Sequence, residues 1–476
     1  MLISLAWKNI WRNKSRSLIL VTAIALGLTS AIFIIAMSDG MIKDRNKTVI
    51  NNETSHIQIH NKKFKDNMKI VYFIPSADKI TATLDTMKEV KSYCTRVKTG
   101  AMASTSRGNS GVIVMGIDPQ REKQVTQIYK NLVDSNSTYF GGRGKNQILI
   151  GDDLAKQLQL TTYQLNDKNL EELAQKIDDQ DVISKLDSLK DKRFRSAVKF
   201  YDALEDLLTQ KQYEQYADMI ADNCVKYKLG RKIILRMQAL NGEITEEAFR
   251  VTGVFSTTNQ MFDQTTVFVE KDYLDQILGL KKDQIHEIAI MLNDEKQLES
   301  TKEKLAKKFP NVLVEDMYSL DPYMKMAKSM AVIYYFIFEL FILFALSFGI
   351  VNSMLMAVLE RTKEIGMLMA IGMKKAKVFT MIILETVMLS LTGGIAGMIL
   401  GYLIVTYTGH TGLDFSAYMK QGSESLGVSP VVYPQLPFYI IVGTTILVIL
   451  TAIVAAIYPA VKAIKLKPVD ALRSDV

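Results

Sequence analysis

The chain has 476 residues, 48% of them hydrophobic and 23% charged, and carries a formal net charge of +8. This length suits two or three folding units, and the mixture excludes both a bare membrane bundle and an ordinary soluble enzyme; it fits apolar segments attached to a sizeable polar domain. Two cysteines, Cys94 and Cys224, stand far apart without CxxC or Cys/His spacing, and four histidines (His56, His60, His286 and His410) are scattered. No zinc site, catalytic triad or stapled scaffold is indicated, and the two thiols are read as unpaired.

Residues 1–17 form a basic amphipathic segment with Lys8, Arg12, Lys14 and Arg16. An apolar run over 18–37 follows, about the 20 residues that cross a bilayer. It is too long for the core of a cleaved signal and lacks a clear small-residue cleavage site, so it is read as an uncleaved signal anchor. Three further runs of this kind occupy 329–359, 378–405 and 438–457. The fold class expected is therefore an α-helical membrane protein with four transmembrane helices, one plus three, around a large mixed α/β extracytoplasmic domain at 38–328.

Lys and Arg near the ends of the runs set the orientation. They crowd the N-terminal segment, the 360–377 linker (Arg361, Lys363, Lys374, Lys375, Lys377) and the 458–476 tail (Lys462, Lys465, Lys467, Arg473). All three are expected in the cytoplasm, with both termini. The 406–437 loop holds Lys420 against Asp414 and Glu424 and suits the outside. Topology and anionic lipid account for the positive charge, so a nucleic-acid partner has no support.

In the outer domain, β-rich or alternating runs stand at His56–His60, Val112–Gly116, Gln147–Ile150, Lys232–Met237, Val251–Phe255, Thr266–Val269 and Ile288–Met291. Helical patterns lie between them, over Asp78–Tyr93, Asp152–Leu158, Lys271–Leu278 and Glu295–Lys308. The stretch 161–228 contains neither Pro nor Gly and spaces its apolar residues helically, which predicts an insertion of two or three helices, read either as a docking element or as a solvated hairpin. Gly141–Asn146 has the wrong spacing for a phosphate loop and Asn146 stands where Ser or Thr would hold Mg²⁺. His56 and His60 fall on one face of a strand without further ligands, more in keeping with structure than with a metal.

The most informative run is Glu360-Arg361-Thr362-Lys363-Glu364-Ile365-Gly366, continuing to Ala370-Ile371-Gly372. It predicts a short amphipathic helix along the inner membrane face. Glu339 lies within the second apolar run; a carboxylate there is costly and should face protein or a wet cavity. Gly393, Gly397 and Gly401 recur every four residues in the third run and permit close helix approach.

These motifs resemble the FtsX-like permeases, the type VII or MacB-like ABC transporters. The resemblance takes in Glu385, Ala6–Asn13, Tyr458-Pro459-Ala460, Pro468–Arg473 and the one-plus-three topology. Ser55–His60, Gly151–Ala155, Thr252–Phe255 and Asp263 with Val267–Val269 are most similar to the lipoprotein-releasing LolC and LolE type, from which the 161–228 insertion departs. The resemblance implies an inner-membrane permease subunit that is not itself an enzyme. A cytoplasmic ATPase dimer would bind ATP and Mg, and a second permease subunit, identical or related, would complete the complex. Glu360–Gly366 would be the ATPase-coupling helix, Glu385 structural, and Glu339 a candidate lining of the substrate cavity. The implied activity is mechanotransmission that releases lipoproteins to a periplasmic chaperone. The alternatives are a MacB-like exporter and an FtsX-like regulator of cell-wall hydrolases.

Overall fold

A computed structural model describes residues 14–141, 144, 146–257, 259–415 and 431–465. The segment 1–13, the loop residues Lys420 and Glu424, Lys467 and the Pro468–Arg473 motif lie outside the described residues. The chain divides into two compact units, one built from the four apolar runs and one spanning Arg45–Pro322.

Among the described residues the first unit contains four helices long and apolar enough to cross a membrane. They cover Lys14–Val49, Pro322–Glu360, Lys375–Thr411 and Phe438–Ile464. Each outruns the apolar stretch that announces it, because a helix need not end where its sequence turns polar. In the first helix the extension beyond residue 37 is supported by the Asp39–Lys43 ion pair one turn apart, at 2.7 Å. The fourth helix likewise runs on through Pro459 to Ile464, into the segment read as the tail. Its final turns are held by Ala455, Ala460 and Ala463, all buried. Between the third and fourth helices, Leu413–Asp414 pairs antiparallel with Val431–Val432.

The second unit is mixed α/β. Its strands are β1 (Ile57–Asn61), β2 (Val90–Ser104), β3 (Asn109–Ile117), β4 (Gln147–Gly151), β5 (Thr161–Gln164), β6 (Arg193–Phe194), β7 (Val225–Tyr227), β8 (Lys232–Gln238), β9 (Ile244–Phe255), β10 (Thr266–Glu270), β11 (Glu287–Leu292) and β12 (Val312–Asp316). Nine of them follow the order β12-β1-β11-β2-β3-β10-β4-β9-β8, and β8 pairs again with β2. That last pairing closes β2, β3, β10, β4, β9 and β8 into a ring, leaving β11, β1 and β12 as an antiparallel extension from the first half of β2. The β3–β10 and β4–β9 pairs are parallel. Val97, Val114, Ile148, Ile233, Phe249 and Val267, one from each of the six ring strands, fill the core; Cys94, from the first half of β2, and Ala289 of β11 pack separately.

Two expectations are corrected here. The helix expected over Asp78–Tyr93 spans only Ala77–Leu84, and the chain enters β2 at Val90. The 161–228 insertion is not purely helical: helices Asp167–Lys176, Gln180–Leu186, Ala197–Leu207 and Gln210–Cys224 pack on a three-stranded sheet ordered β6-β5-β7. Tyr163 of β5 stacks on Phe200 at 5.0 Å, so one strand residue anchors the helical layer. Leu173, Val182, Leu186, Leu204 and Ile220 complete a separate small core. Cys94 and Cys224 are both free and buried.

Candidate functional site

The second long helix ends at Glu360, and Arg361 breaks the run at φ −99°, ψ 18°. A short helix, Thr362–Ala370, follows. The Thr362 hydroxyl donates to the Leu359 carbonyl at 2.6 Å, which satisfies an acceptor left open at the preceding helix end. Ile365 and Gly366 are buried, whereas Glu360, Lys363, Glu364 and Met367 are exposed; this is the two-faced pattern that the sequence predicts. Gly372 turns the chain at φ +102°, a left-handed conformation that disfavours any side chain. The third long helix begins three residues later at Lys375.

One ion pair ties this corner together. Arg361 Nη1 donates to Glu385 Oε1 at 3.0 Å, and both side chains are largely buried. They border a cavity of about 280 Å³ lined also by Met354, Val358, Ile365 and Ile382. The arrangement places a charge-paired latch beneath an exposed polar surface. Glu385, set apart in the sequence as a structural residue, is brought to the Glu360–Gly366 run itself.

The glycine stripe receives the first long helix. A Cβ on Gly393 would lie 2.9 Å from Ile24 Cβ, one on Gly397 2.7 Å from the Ala25 carbonyl oxygen, and one on Gly401 3.1 Å from Ile32 Cγ2. Thr29 Oγ1 adds a hydrogen bond to the Gly397 carbonyl at 3.0 Å. Glu339 lies apart from this contact. Its side chain meets the Thr444 hydroxyl of the fourth helix, while its buried Oε1 has no hydrogen-bond partner.

In the α/β unit the chain enters at Arg45 and leaves at Pro322. Arg45 Nη2 donates to Asp321 Oδ2 at 3.0 Å, with both groups mostly buried. The two crossings are thus fastened to each other inside this unit. A π-helical turn, Ile50–Thr54, lies between the first crossing and β1.

Sequence reasoning missed the charge cluster on β2. Arg96 is fully buried and bridges two carboxylates: its Nε and Nη2 meet Glu122 at 3.0 and 2.6 Å, and its Nη1 meets Glu287 at 2.6 Å. Lys98 also contacts Glu287. Burial alone would raise the Glu287 carboxyl, but Lys98 and Arg96 hold it down at about 2. Beside it, His286 Nε2 donates to the Ile70 carbonyl at 2.9 Å and its Nδ1 accepts from Lys98 N–H at 3.2 Å. That fixes a neutral imidazole, and burial lowers it to about 4. A basic residue at alternate positions of an otherwise β-compatible run was the one signal available. His56 and His60 serve the sheet as well: Leu292 N–H donates to His56 Nδ1 at 3.1 Å, and His60 Nε2 meets Gln58 Oε1 at 3.0 Å. The Gly141–Asn146 run is partly outside the described residues; Asn146 Nδ2 donates to the Ala248 carbonyl at 3.0 Å. Among the described residues no cluster of His, Cys, Asp or Glu could hold a metal ion.

Residues 336–468 match the family model described as FtsX-like permease C-terminal. That stretch contains the Arg361–Glu385 pair, the short helix and the glycine stripe. An uncharacterized ABC transporter permease of Methanocaldococcus jannaschii is 24% identical over 239 residues, which is 49% of this chain and 57% of that protein. The macrolide export ATP-binding/permease protein MacB of Vibrio parahaemolyticus is 34% identical over 127 residues, 27% of this chain and 17% of that protein. The chain thus spans little more than half the length of the first relative and a small part of the second. The extracellular domain of the ABC-type transporter YknZ from Gram-positive bacteria covers 55% of this chain and 99% of that structure, at 10% identity and a TM-score of 0.28.

Proposed function

We propose that this chain is the membrane-spanning permease subunit of an ABC-type transporter, powered by a separate cytoplasmic ATPase dimer that binds ATP and Mg. The observation that carries the reading is the Thr362–Ala370 helix latched to the third long helix through Arg361–Glu385, inside the stretch that matches FtsX-like permeases. Two permease subunits, identical or related, complete the complex in the bacterial inner membrane, with both termini cytoplasmic and residues 38–328 periplasmic. ATP-driven closure of the ATPases pushes on Glu360–Gly366. The first two long helices carry the motion outward, and Arg45–Asp321 joins their entries into the α/β unit. The substrate is a lipoprotein taken from the outer leaflet and passed to a periplasmic chaperone, with Glu339 lining the cavity it enters.

The similarity to MacB favours a second reading, in which the same stroke drives export. Purification from native membranes followed by reconstitution separates the two. ATP-dependent transfer of a lipoprotein from proteoliposomes to a soluble chaperone supports release. Co-purification of an export adaptor without such transfer supports export. A cell-wall hydrolase in its place points to the regulatory alternative, and absence of any ATPase overturns the permease assignment.

A further inference from the structure

Lys228 sits where cations from separate stretches of the α/β unit converge. Its Nζ donates to the Gln159 carbonyl at 3.0 Å, and its backbone N–H donates to the Leu160 carbonyl at 2.8 Å. The turn that carries Arg107 is seated on the same strip. Thr105 Oγ1 donates to the Leu158 carbonyl at 3.0 Å, and Gly108 packs so closely that a Cβ there would lie 2.7 Å from the Gln157 carbonyl oxygen. From the insertion, β6 sets Arg193 opposite Gln164 of β5, with Arg195 just beyond. Arg231 follows Lys228 by three residues, and its carbonyl accepts the Val251 N–H at 3.0 Å. The crowding is felt by Lys228: burial, then Arg107, Arg231, Arg193 and Arg195, lower its ammonium from the ordinary value. Across the adjoining ladder, Lys232 lies directly opposite Arg250, a like-charge pairing that costs stability in a sheet.

Among the described residues none of these cations makes an ion pair. Elsewhere in the same unit Lys156, Lys185 and Lys190 each hold a carboxylate, and at the edge of this face Arg236 holds Glu246. The four arginines are exposed, and guanidinium forks match carboxylates two bonds at a time. A face where these cations gather without carboxylate partners of their own is suited to an external anion, whose approach it steers. The neighbouring surface narrows the kind of anion. Ile234 shares the outward face of β8 with Lys232 and is 42% exposed, and Met102 on the adjoining β2 is 44% exposed. Apolar side chains interleaved with cations suit a polypeptide that carries carboxylates and apolar groups together; a bare phosphate polymer or a lipid headgroup makes no use of them.

We propose that this face, centred on Arg107, Arg193, Arg195, Lys228 and Arg231, binds an acidic polypeptide segment of a partner protein. The full chain, held in phosphatidylcholine nanodiscs, is titrated into a fluorescein-labelled peptide of Glu and Leu, with a Gln and Leu peptide as control, and anisotropy is read against salt. Saturable, salt-sensitive binding is expected for the Glu peptide alone. The double variant Arg193→Glu/Arg195→Glu should weaken it by about tenfold or more. Lys211→Glu, an exposed reversal on the insertion helix Gln210–Cys224, should leave it within about twofold. The variant Arg107→Glu/Arg231→Glu repeats the test from other elements, and unchanged circular-dichroism melting certifies the fold of either pair. Binding that survives both double variants overturns the proposal. So does tighter binding of polyphosphate or of phosphatidylglycerol vesicles, or an Ile234→Ser variant combined with Met102→Ser that retains full peptide affinity.

Discussion

Arg361 Nη1 donates to Glu385 Oε1 at 3.0 Å and thereby joins the corner after the second long helix to the first half of the third. Removing one partner from such a largely buried pair costs up to about 3–5 kcal/mol. Arg361→Ala and Glu385→Ala are each expected to lower the melting temperature of the reconstituted protein and to abolish coupled ATPase stimulation. The exchange Arg361→Glu/Glu385→Arg should recover a substantial part of both. A double-mutant cycle with zero coupling energy would show that the pair does not link the two helices.

Arg45 and Asp321 provide the corresponding test at the entrance to the α/β unit. Under the proposed mechanism, Asp321→Ala should leave ATP hydrolysis near its normal rate while substrate handling drops several-fold. Parallel loss of both activities, measured in one proteoliposome preparation, would instead indicate general destabilisation.

The glycine stripe makes a local packing prediction. Gly397→Ala puts a methyl group 2.7 Å from the Ala25 carbonyl oxygen, and overpacking of this kind costs about 1–3 kcal/mol. Gly349 has open space where its Cβ would go, so Gly349→Ala should be neutral or slightly stabilising. Thermal unfolding of the two variants in the same detergent compares them directly.

The β2 charge cluster predicts acid sensitivity of the α/β unit. Glu287 is held at about 2 against an ordinary value of 4.5. Its ionised form therefore stabilises the fold above 4.5, and that contribution disappears as pH falls from 4.5 towards 2. His286 is lowered to about 4, so the unfolded state takes up its proton first and stability declines as pH falls from 6.5 to 4. Both act in the same direction, so the contribution of this pair to the melting temperature falls progressively below pH 6.5. His286→Gln should flatten the upper part of the curve and leave the lower part in place.

Asp263 acts in the opposite sense. Burial raises its carboxyl to about 7, although hydrogen bonds from Thr257 oppose the rise. Its protonated form favours the fold at low pH, and this advantage is lost as pH climbs from 3.8 to 7. Asp263→Asn should reduce that loss, visible as a smaller fall in melting temperature between pH 5 and pH 8 (both on the order of one unit from the group's two values).

The sequence by itself determined the four long apolar helices, the short two-faced helix between the second and third, and those strands whose apolar residues alternate or run together. These features are local: periodicity and apolar length act within one segment. It also placed Gly393, Gly397 and Gly401 on one helix face, since a four-residue spacing is enough for that. Tertiary structure decided the rest. β2 reads poorly as a strand because Arg96 and Lys98 occupy it, and a buried arginine is tolerable only with partners; Glu122 and Glu287 are 26 and 191 positions away. The insertion's sheet depends on β5 meeting β7 across more than sixty residues, a pairing to which helical spacing is blind. Likewise, nothing local joins Arg361 to Glu385 or Arg45 to Asp321. Desolvation sets those partnerships, because a charge withdrawn from water must find its opposite wherever the fold brings one near.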